Sequence, residues 1–336
     1  MPSSFTIRVA NTDIAFPCDA DTTILEAARI AGYEMPYSCQ RGACASCRGL
    51  VRSGEIDTPY PGDLYTLFCQ TRPRSDLEIV PREIRRIDPN AKSTIEAKVL
   101  RVTVAADDVR IVQLRFPPGV RVKFKAGQYL DVILPDGARR SFSMANAPQQ
   151  SDVAVLHVRV LPGGKFAEEV LPGLAAGSQL RVEIPSGDFW LRESSKPAVF
   201  VASGTGFAPI KSILEDAFRK KDSREVVLYW GARREKDLYQ ADLPAKWAGL
   251  YPQFRFVSVL SEPEEGWTGR TGFVHRAVME DYASLADCQV YACGVTAMVD
   301  AARNDFTLER GLPPDDFFCD AFVTPADAAR RLPRAP

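Results

Sequence analysis

Cys39, Cys44, Cys47 and Cys69 fall as C-x4-C-x2-C followed after 21 residues by a lone fourth cysteine, and this spacing limits the possible fold more than any other feature of the chain. Three thiols on one tight loop and a fourth from the next element match the ligand spacing of a plant-type [2Fe-2S] cluster. The loop from Ser38 to Arg48 is rich in small residues, Gly42, Ala43, Ala45 and Ser46, which let the backbone wrap closely and aim N–H groups at sulfur. A structural zinc site would usually present two separated C-x2-C pairs or add histidines. The two histidines, His157 and His275, lie far along the chain, which also counts against a His-ligated Rieske centre. Disulfides would need an oxidising compartment, yet Met1 to Ala10 shows no basic stretch followed by an apolar one, so a reducing, cytoplasmic location is expected.

At 336 residues, 46% hydrophobic and 25% charged, the chain is long enough for two or three domains with real cores. A net charge of −1 and the lack of a basic stretch threaded with aromatics argue against a nucleic-acid partner, and no window of 18 apolar residues suggests a membrane span. Residues 1–80 carry ten Asp/Glu against seven Arg and no Lys, whereas residues 81–101 carry six Lys/Arg against three Asp/Glu. The shift predicts a small acidic domain followed by a linker near Pro81 to Pro89. Within that domain Phe5 to Val9 alternates like a strand, and Thr23 to Ala31 predicts a helix with Thr22 or Thr23 as N-cap and Gly32 just past its end.

From Ile95 to about Leu191 short β-rich runs separated by turn residues predict an antiparallel barrel, interrupted by one helix over Lys165 to Leu171. From Ala198 onward strands alternate with helices at 207–220, 272–280 and 296–310, which predicts a parallel sheet with covering helices. The apolar strand from Val199 ends in Gly204-Thr205-Gly206, with Pro209 in the first turn of the following helix. Absent side chains there allow a pyrophosphate to approach backbone amides at a helix N-terminus, although the third glycine of G-x-G-x-x-G is missing and plain turn chemistry is the alternative.

Phe124-x-x-Gly127-Gln128-Tyr129, Arg140-Ser141-Phe142-Ser143, Gly204-Thr205-Gly206-x-x-Pro209, Cys293-Gly294-x-x-x-Met298 and Asp320-Ala321-Phe322 occur in the order typical of the ferredoxin–NADP reductase superfamily. With its N-terminal cysteine loop the chain resembles the oxygenase reductases of that superfamily over about residues 1–323. The resemblance implies a multidomain α+β and α/β chain. Its parts would be an N-terminal β-grasp ferredoxin domain (1–88), an antiparallel β-barrel FAD domain (94–193), a parallel-sheet α/β nucleotide-binding domain (196–323) and a tail (324–336). It further implies a [2Fe-2S] cluster, FAD, and NADH or NADPH, with an oxygenase component as protein electron acceptor.

By the same resemblance Arg140 would meet the flavin pyrophosphate, Phe142 would stand against the isoalloxazine where most relatives have Tyr, and Ser143 would offer a hydroxyl to flavin polar edges, with Ser141 between them counted among the cofactor-binding residues. Gly164-Lys165-Phe166 resembles the second pyrophosphate site, with Lys165 for the usual Arg and Ala167 for a usual Ser; a solvated turn is the alternative. His157, Val158 and Arg159 lie on the strand expected beside the FAD, where His157 reads equally as a satisfied barrel histidine. Cys293, before Gly294 and Met298, would set a thiol beside the nicotinamide, and Phe322 would cover the flavin. Arg233 suits an adenosine phosphate as well as plain solvent. Cys18, Cys288 and Cys319 read as core.

A hydride donor, a flavin and a one-electron cluster in one chain imply NAD(P)H-driven delivery of single electrons, and the resemblance points to a Rieske aromatic-ring dioxygenase, for terephthalate or another aromatic carboxylate, as the acceptor. Two other acceptor readings stand beside it, free flavin or a deoxysugar dehydratase, and a third class is a redox-sensing iron–sulfur protein. Two departures from relatives are visible. The gap before Cys69 is about eight residues shorter than usual, and Ala45 stands where glycine is common.

Overall fold

The computed structural model describes residues 4–59, 65–88 and 92–323, and this chain divides into two compact units, before and after Lys92. The first unit is built on a mixed five-stranded sheet. Its strands are β1 (Ser4–Val9), β2 (Ala15–Asp19), β4 (Arg48–Ser53), β6 (Thr66–Leu67) and β8 (Leu77–Pro81), in the order β2-β1-β8-β4-β6. Strands β1 and β8 run parallel and the other neighbours antiparallel. Helix α1 (Ile24–Ile30) buries Ile24, Leu25, Ala27 and Ala28, and the unit's core also holds Ile7, Phe16, Phe68, Leu77 and Ile79. Thr23 caps α1 by accepting the Glu26 N–H at 3.3 Å, and Gly32, at φ 82°, follows its end as the sequence predicts.

Two short ladders complete the unit: β3 (Tyr33–Glu34) with β9 (Arg85–Arg86), and β5 (Ile56–Asp57) with β7 (Arg72–Pro73). The expected linker therefore differs in its first half, because Arg85–Arg86 pairs back into the first unit; Pro89 lies outside the described residues, as does the expected tail at 324–336.

The second unit opens with a six-stranded antiparallel sheet: β10 (Ser93–Ala106), β11 (Val109–Arg115), β12 (Tyr129–Ile133), β13 (Arg139–Ser143), β14 (Val153–Arg159) and β15 (Gln179–Ser186). Their order is β13-β12-β15-β10-β11-β14, and the two edges meet where Met144 bridges Leu156 and the Ala145 N–H donates to Val155 O at 2.8 Å. Alternate residues such as Val112, Leu114, Leu130, Val132, Leu156 and Val182 fill its interior. The helix expected over Lys165 to Leu171 is instead a π turn, Phe166–Val170, running into a 3-10 turn, Leu171–Gly173. Pro172 and Gly173 leave no room for a regular helix to propagate.

A six-stranded parallel sheet follows: β16 (Ala198–Ser203), β17 (Val226–Ala232), β18 (Phe254–Leu260), β19 (Arg270–Thr271), β20 (Gln289–Val295) and β21 (Phe317–Phe322). Helices α2 (Phe207–Arg219), α3 (Asp242–Leu250), α4 (Val274–Asp281) and α5 (Thr296–Glu309) connect them. The order β19-β18-β17-β16-β20-β21 reverses direction between β16 and β20. At such a switch point the loops leaving the strand ends part and open a crevice.

The two sheets of this unit share a core. Ala126 and Phe189 pack with Phe200, Ile210, Ile213 and Tyr291. Gly127 makes this possible, because at φ 96° a Cβ would sit 2.1 Å from Phe189 O. On β14, His157 is buried with Nδ1 2.8 Å from the Tyr239 hydroxyl, and Tyr239 stands edge-on to Trp230 of β17.

Burial holds the His157 imidazole down at about 3, against a usual 6.5, so it stays neutral in the folded protein. The unfolded chain takes up this proton as pH falls through 6.5 while the folded chain does not until about 3; stability is therefore lost across that window. Between pH 6.5 and 5 the expected loss is about 2 kcal/mol, and His157→Phe should remove that part of the slope in urea-unfolding midpoints measured at pH 7 and 5. An unchanged slope in the variant would contradict the assignment.

Candidate iron–sulfur, flavin and nicotinamide sites

The cysteine loop in the first unit is held in a conformation that costs energy. Gln40, Gly42 and Ala45 all take positive φ, 52°, 74° and 54°, and for Ala45 this is worth roughly 1 kcal/mol of strain. The return is a set of amides aimed at sulfur. The N–H groups of Arg41, Ala43 and Cys44 donate to Cys39 Sγ at 3.4, 3.3 and 3.2 Å, and the Cys39 N–H donates to Cys44 Sγ at 3.4 Å. Behind the loop, β4 and β6 pair Arg48 with Leu67 and Gly49 with Thr66, which delivers Cys69 directly after Phe68. Phe68 needs Gly49 to be bare, since a Cβ there would lie 2.4 Å from its ring.

The four thiols fall two and two. Cys39 hydrogen-bonds Cys44 and holds it down at about 5, while Cys47 hydrogen-bonds Cys69 and holds it below the usual thiol range. The same two bonds, with burial, push Cys39 and Cys47 up. Among the described residues no three Cys, His, Asp or Glu side chains are gathered around a single metal position. Two thiol pairs fronted by backbone N–H groups suit a binuclear cluster, one pair per iron, better than a single zinc ion.

In the second unit the strand ends converge at the switch point. A Cβ at Gly206 would lie 2.1 Å from Cys293 O, and one at Gly294, φ 140°, would lie 2.1 Å from Ser203 Oγ, so the ends of β16 and β20 touch backbone to backbone. The Val295 N–H donates to Ser203 Oγ at 3.1 Å. Thr205 is buried in this turn, Pro209 lies in the first turn of α2 as expected, and the Trp230 indole donates to Gly204 O at 3.0 Å. Arg159 crosses from the antiparallel sheet: it pairs with Asp108 at 2.8 Å, and Gly204 is bare enough that a Cβ would meet its guanidinium at 3.0 Å. The buried Ser143 hydroxyl lies 3.4 Å from Asp320 Oδ2 on β21. Burial foremost, then Asp320, push the Cys293 thiol well above its usual range, so it stays a neutral thiol.

Around this centre the expected residues divide. Phe142 leans on Phe166, ring centres 4.8 Å apart, and Lys165 forms an ion pair with Asp136 beside the Gly163–Gly164 turn. The Arg140 guanidinium donates to its neighbour's carbonyl, Arg139 O, at 2.8 Å. Met298 is buried in the first turn of α5, and Phe322 ends β21, where the Thr296 hydroxyl donates to its carbonyl at 3.2 Å. Ser141 is turned to Asp131 at 2.6 Å, Val158 faces the sheet interior, and Arg233 stands exposed beyond β17. Asp320 and Tyr239 are the members that sequence reasoning left unassigned. Asp320 sat inside a quoted motif, and nothing local marks Tyr239. The Gly204–Gly206 turn leads straight into the N-terminus of α2, where backbone N–H groups suit a dinucleotide pyrophosphate.

Comparison with known proteins agrees in all three regions. The 2Fe-2S iron-sulfur cluster binding domain family matches residues 7–74, the Oxidoreductase FAD-binding domain family residues 96–190 and the Oxidoreductase NAD-binding domain family residues 200–304. The chain is 40% identical over 332 residues to the Terephthalate 1,2-dioxygenase, reductase component 1 of Comamonas sp, covering 95% of this chain and 97% of that protein. It is 39% identical over 328 residues to the CDP-6-deoxy-L-threo-D-glycero-4-hexulose-3-dehydrase reductase of Yersinia pseudotuberculosis, covering 95% and 99%. Among solved structures it is similar to the Amycolatopsis cytochrome P450 reductase GcoB, with a TM-score of 0.75, 35% identity and coverage of 95% and 99%. Likeness over almost the whole length, with the three domains in one order, shows that the chain belongs to the family of iron–sulfur flavoprotein reductases, oxidoreductases that carry a [2Fe-2S] cluster and FAD and use a nicotinamide dinucleotide.

Proposed function

We propose that this chain is the NAD(P)H-oxidising reductase component of an oxygenase system, delivering single electrons through its cluster to an oxygenase partner that acts on terephthalate or another aromatic carboxylate. The observation that carries this reading is the two-and-two thiol set in a chain that also brings Ser143, Asp320 and Cys293 together at a nucleotide-binding switch point. The domains are assigned as a β-grasp cluster domain at 1–88, a barrel-like flavin domain at 94–193 and a nucleotide domain at 196–323. No helix among the described residues is long and apolar enough to cross a membrane, and thiol ligands to a cluster suit a reducing cytoplasm.

The chemistry that bound FAD supplies is conversion of a two-electron hydride donor into one-electron output. The chain's own residues position and insulate. Arg140 and Lys165 answer the flavin pyrophosphate, Lys165 by leaving Asp136. Phe142, set by Phe166, and Phe322 flank the ring system, with His157 and Arg159 along the neighbouring strand. Ser143, bonded to Asp320, holds a hydroxyl at the ring edge. Gly204, Thr205, Gly206 and Pro209 cradle the dinucleotide at the start of α2, and Arg233 reaches its adenosine end. Cys293, with Gly294 and Met298 behind it, walls the nicotinamide side, and as a neutral thiol it takes no covalent part.

The 39% identity to the deoxysugar dehydrase reductase gives a second acceptor equal standing. Reconstitution of the purified chain with a Rieske oxygenase, scoring NADH against NADPH and several aromatic acids, separates the two; turnover only with a sugar dehydratase would replace the first reading with the second.

Two substitutions test the internal path. Cys69→Ser should cut NAD(P)H-driven cytochrome c reduction by about tenfold or more while ferricyanide reduction, fed from the flavin, persists. Undiminished cytochrome c reduction in Cys69→Ser would place the acceptor at the flavin. Cys293→Ala should slow flavin bleaching by NAD(P)H in single-turnover mixing by about 10- to 100-fold with FAD content unchanged, because a widened pocket misplaces the donor. An unaltered rate would remove Cys293 from the site.

A further inference from the structure

Cys69 stands apart from its three companions, and the residue beside it reaches back to them. The Gln70 carboxamide nitrogen lies 2.8 Å from Cys69 O, 3.2 Å from Gln40 O and 3.7 Å from Cys69 Sγ. All three neighbours are acceptors, so the amide must point its N–H2 group, and not its oxygen, inward. Two N–H bonds serve three acceptors, so one is shared between the sulfur and a carbonyl. The Gln70 backbone is fixed by its own N–H, which donates to Leu67 O at 2.9 Å. The amide thus spans from the fourth ligand to Gln40, one of the non-glycine residues held at positive φ in the ligand loop. The Gly42 N–H donates to the same sulfur from the opposite side of the loop.

We infer that Gln70 is a positioning residue that raises the reduction potential of the cluster, by aiming a side-chain N–H at Cys69 Sγ and fastening that ligand to the Gln40 carbonyl. The inference rests on the cluster reading above. Reduction adds a negative charge that spreads over the sulfur ligands, and a donor dipole facing a ligand sulfur stabilises the reduced form more than the oxidised one. Backbone amides already serve Cys39, whose sulfur receives three. At Cys69, which comes from another element, a side chain does part of the same work. The consequence is control of the last internal step: the potential of the cluster sets how readily an electron leaves the flavin and how strongly it is passed on.

The test uses full-length holoprotein with Gln70→Leu, which deletes the donor, and Gln70→Glu, which keeps the shape but turns a carboxylate toward three acceptors. Reductive titration followed by electron paramagnetic resonance should show both midpoints more negative than wild type. At the wild-type midpoint the reduced-to-oxidised ratio should fall about threefold to tenfold in Gln70→Leu, the worth of one modest hydrogen bond, and further in Gln70→Glu. Iron and acid-labile sulfide per chain should stay unchanged. If Gln70→Leu sheds its cluster, Gln70→Asn, whose shorter amide cannot reach the sulfur, supports the same comparison. A full cluster with an unmoved midpoint in these variants overturns the inference and leaves Gln70 a loop tie alone. Lack of iron and sulfide in the wild-type protein would instead refute the cluster reading itself.

Discussion

The turn after β16 and the end of β20 stand so close that Gly206 and Gly294 have no room for a side chain. Gly206 would strike Cys293 O and Gly294 would strike Ser203 if either bore a methyl group, each at 2.1 Å. From that contact the rest of the second unit's site takes its positions. It sets Cys293 at the mouth of the sheet, starts α2 where a phosphate can meet free amides, and brings β21 alongside so that Asp320 reaches Ser143 of the other sheet. The shared core around Ala126, Phe189 and Ile213, which depends on bare Gly127, keeps the two sheets in that relation.

Two ionisable groups of the second unit stay uncharged. Cys293 is a thiol and His157 a neutral imidazole, both because burial penalises their ionised forms. His157 keeps its hydrogen bond to Tyr239 at any ordinary pH, so the contact between the flavin sheet and the aromatic cluster of Phe207, Trp230 and Tyr239 does not switch with protonation. The charged side chains are spent at the margins, as in the pairs of Arg159 with Asp108 and Lys236 with Asp107.

Much of this was legible in the chain because it is written locally. Four thiols at fixed spacing, alternating strands, and a Thr cap with a following glycine each depend on neighbours within a few positions. The missed helix α3 begins Asp-Leu-Pro and contains a glycine, and it buries only Pro244 and Trp247, so no apolar stripe announces it. The predicted helix after Gly164 failed because Pro172 cuts it short, a local signal outweighed by the apolar pattern of Phe166 to Leu171. Asp320 and Tyr239 were invisible as site residues for a different reason. Their partners Ser143 and His157 lie 177 and 82 positions away, and only the folded sheets bring them together. Ser141 is placed in the same way: strand register sets it opposite Asp131, to which its hydroxyl donates.

The division of the thiols into two pairs has a mechanical side. Cys39 and Cys44 are neighbours on one loop, so their half of the cluster needs little of the fold to be in place. Cys47 and Cys69 meet only when β6, a strand of two residues at the sheet's edge, has docked on β4. A cluster bound across both pairs would therefore rivet a two-residue seam of the small unit, adding metal-ligand bonds to the few hydrogen bonds so short a strand supplies. Loss of iron would open that seam first, and the damage would start at the same edge that presents the fourth ligand.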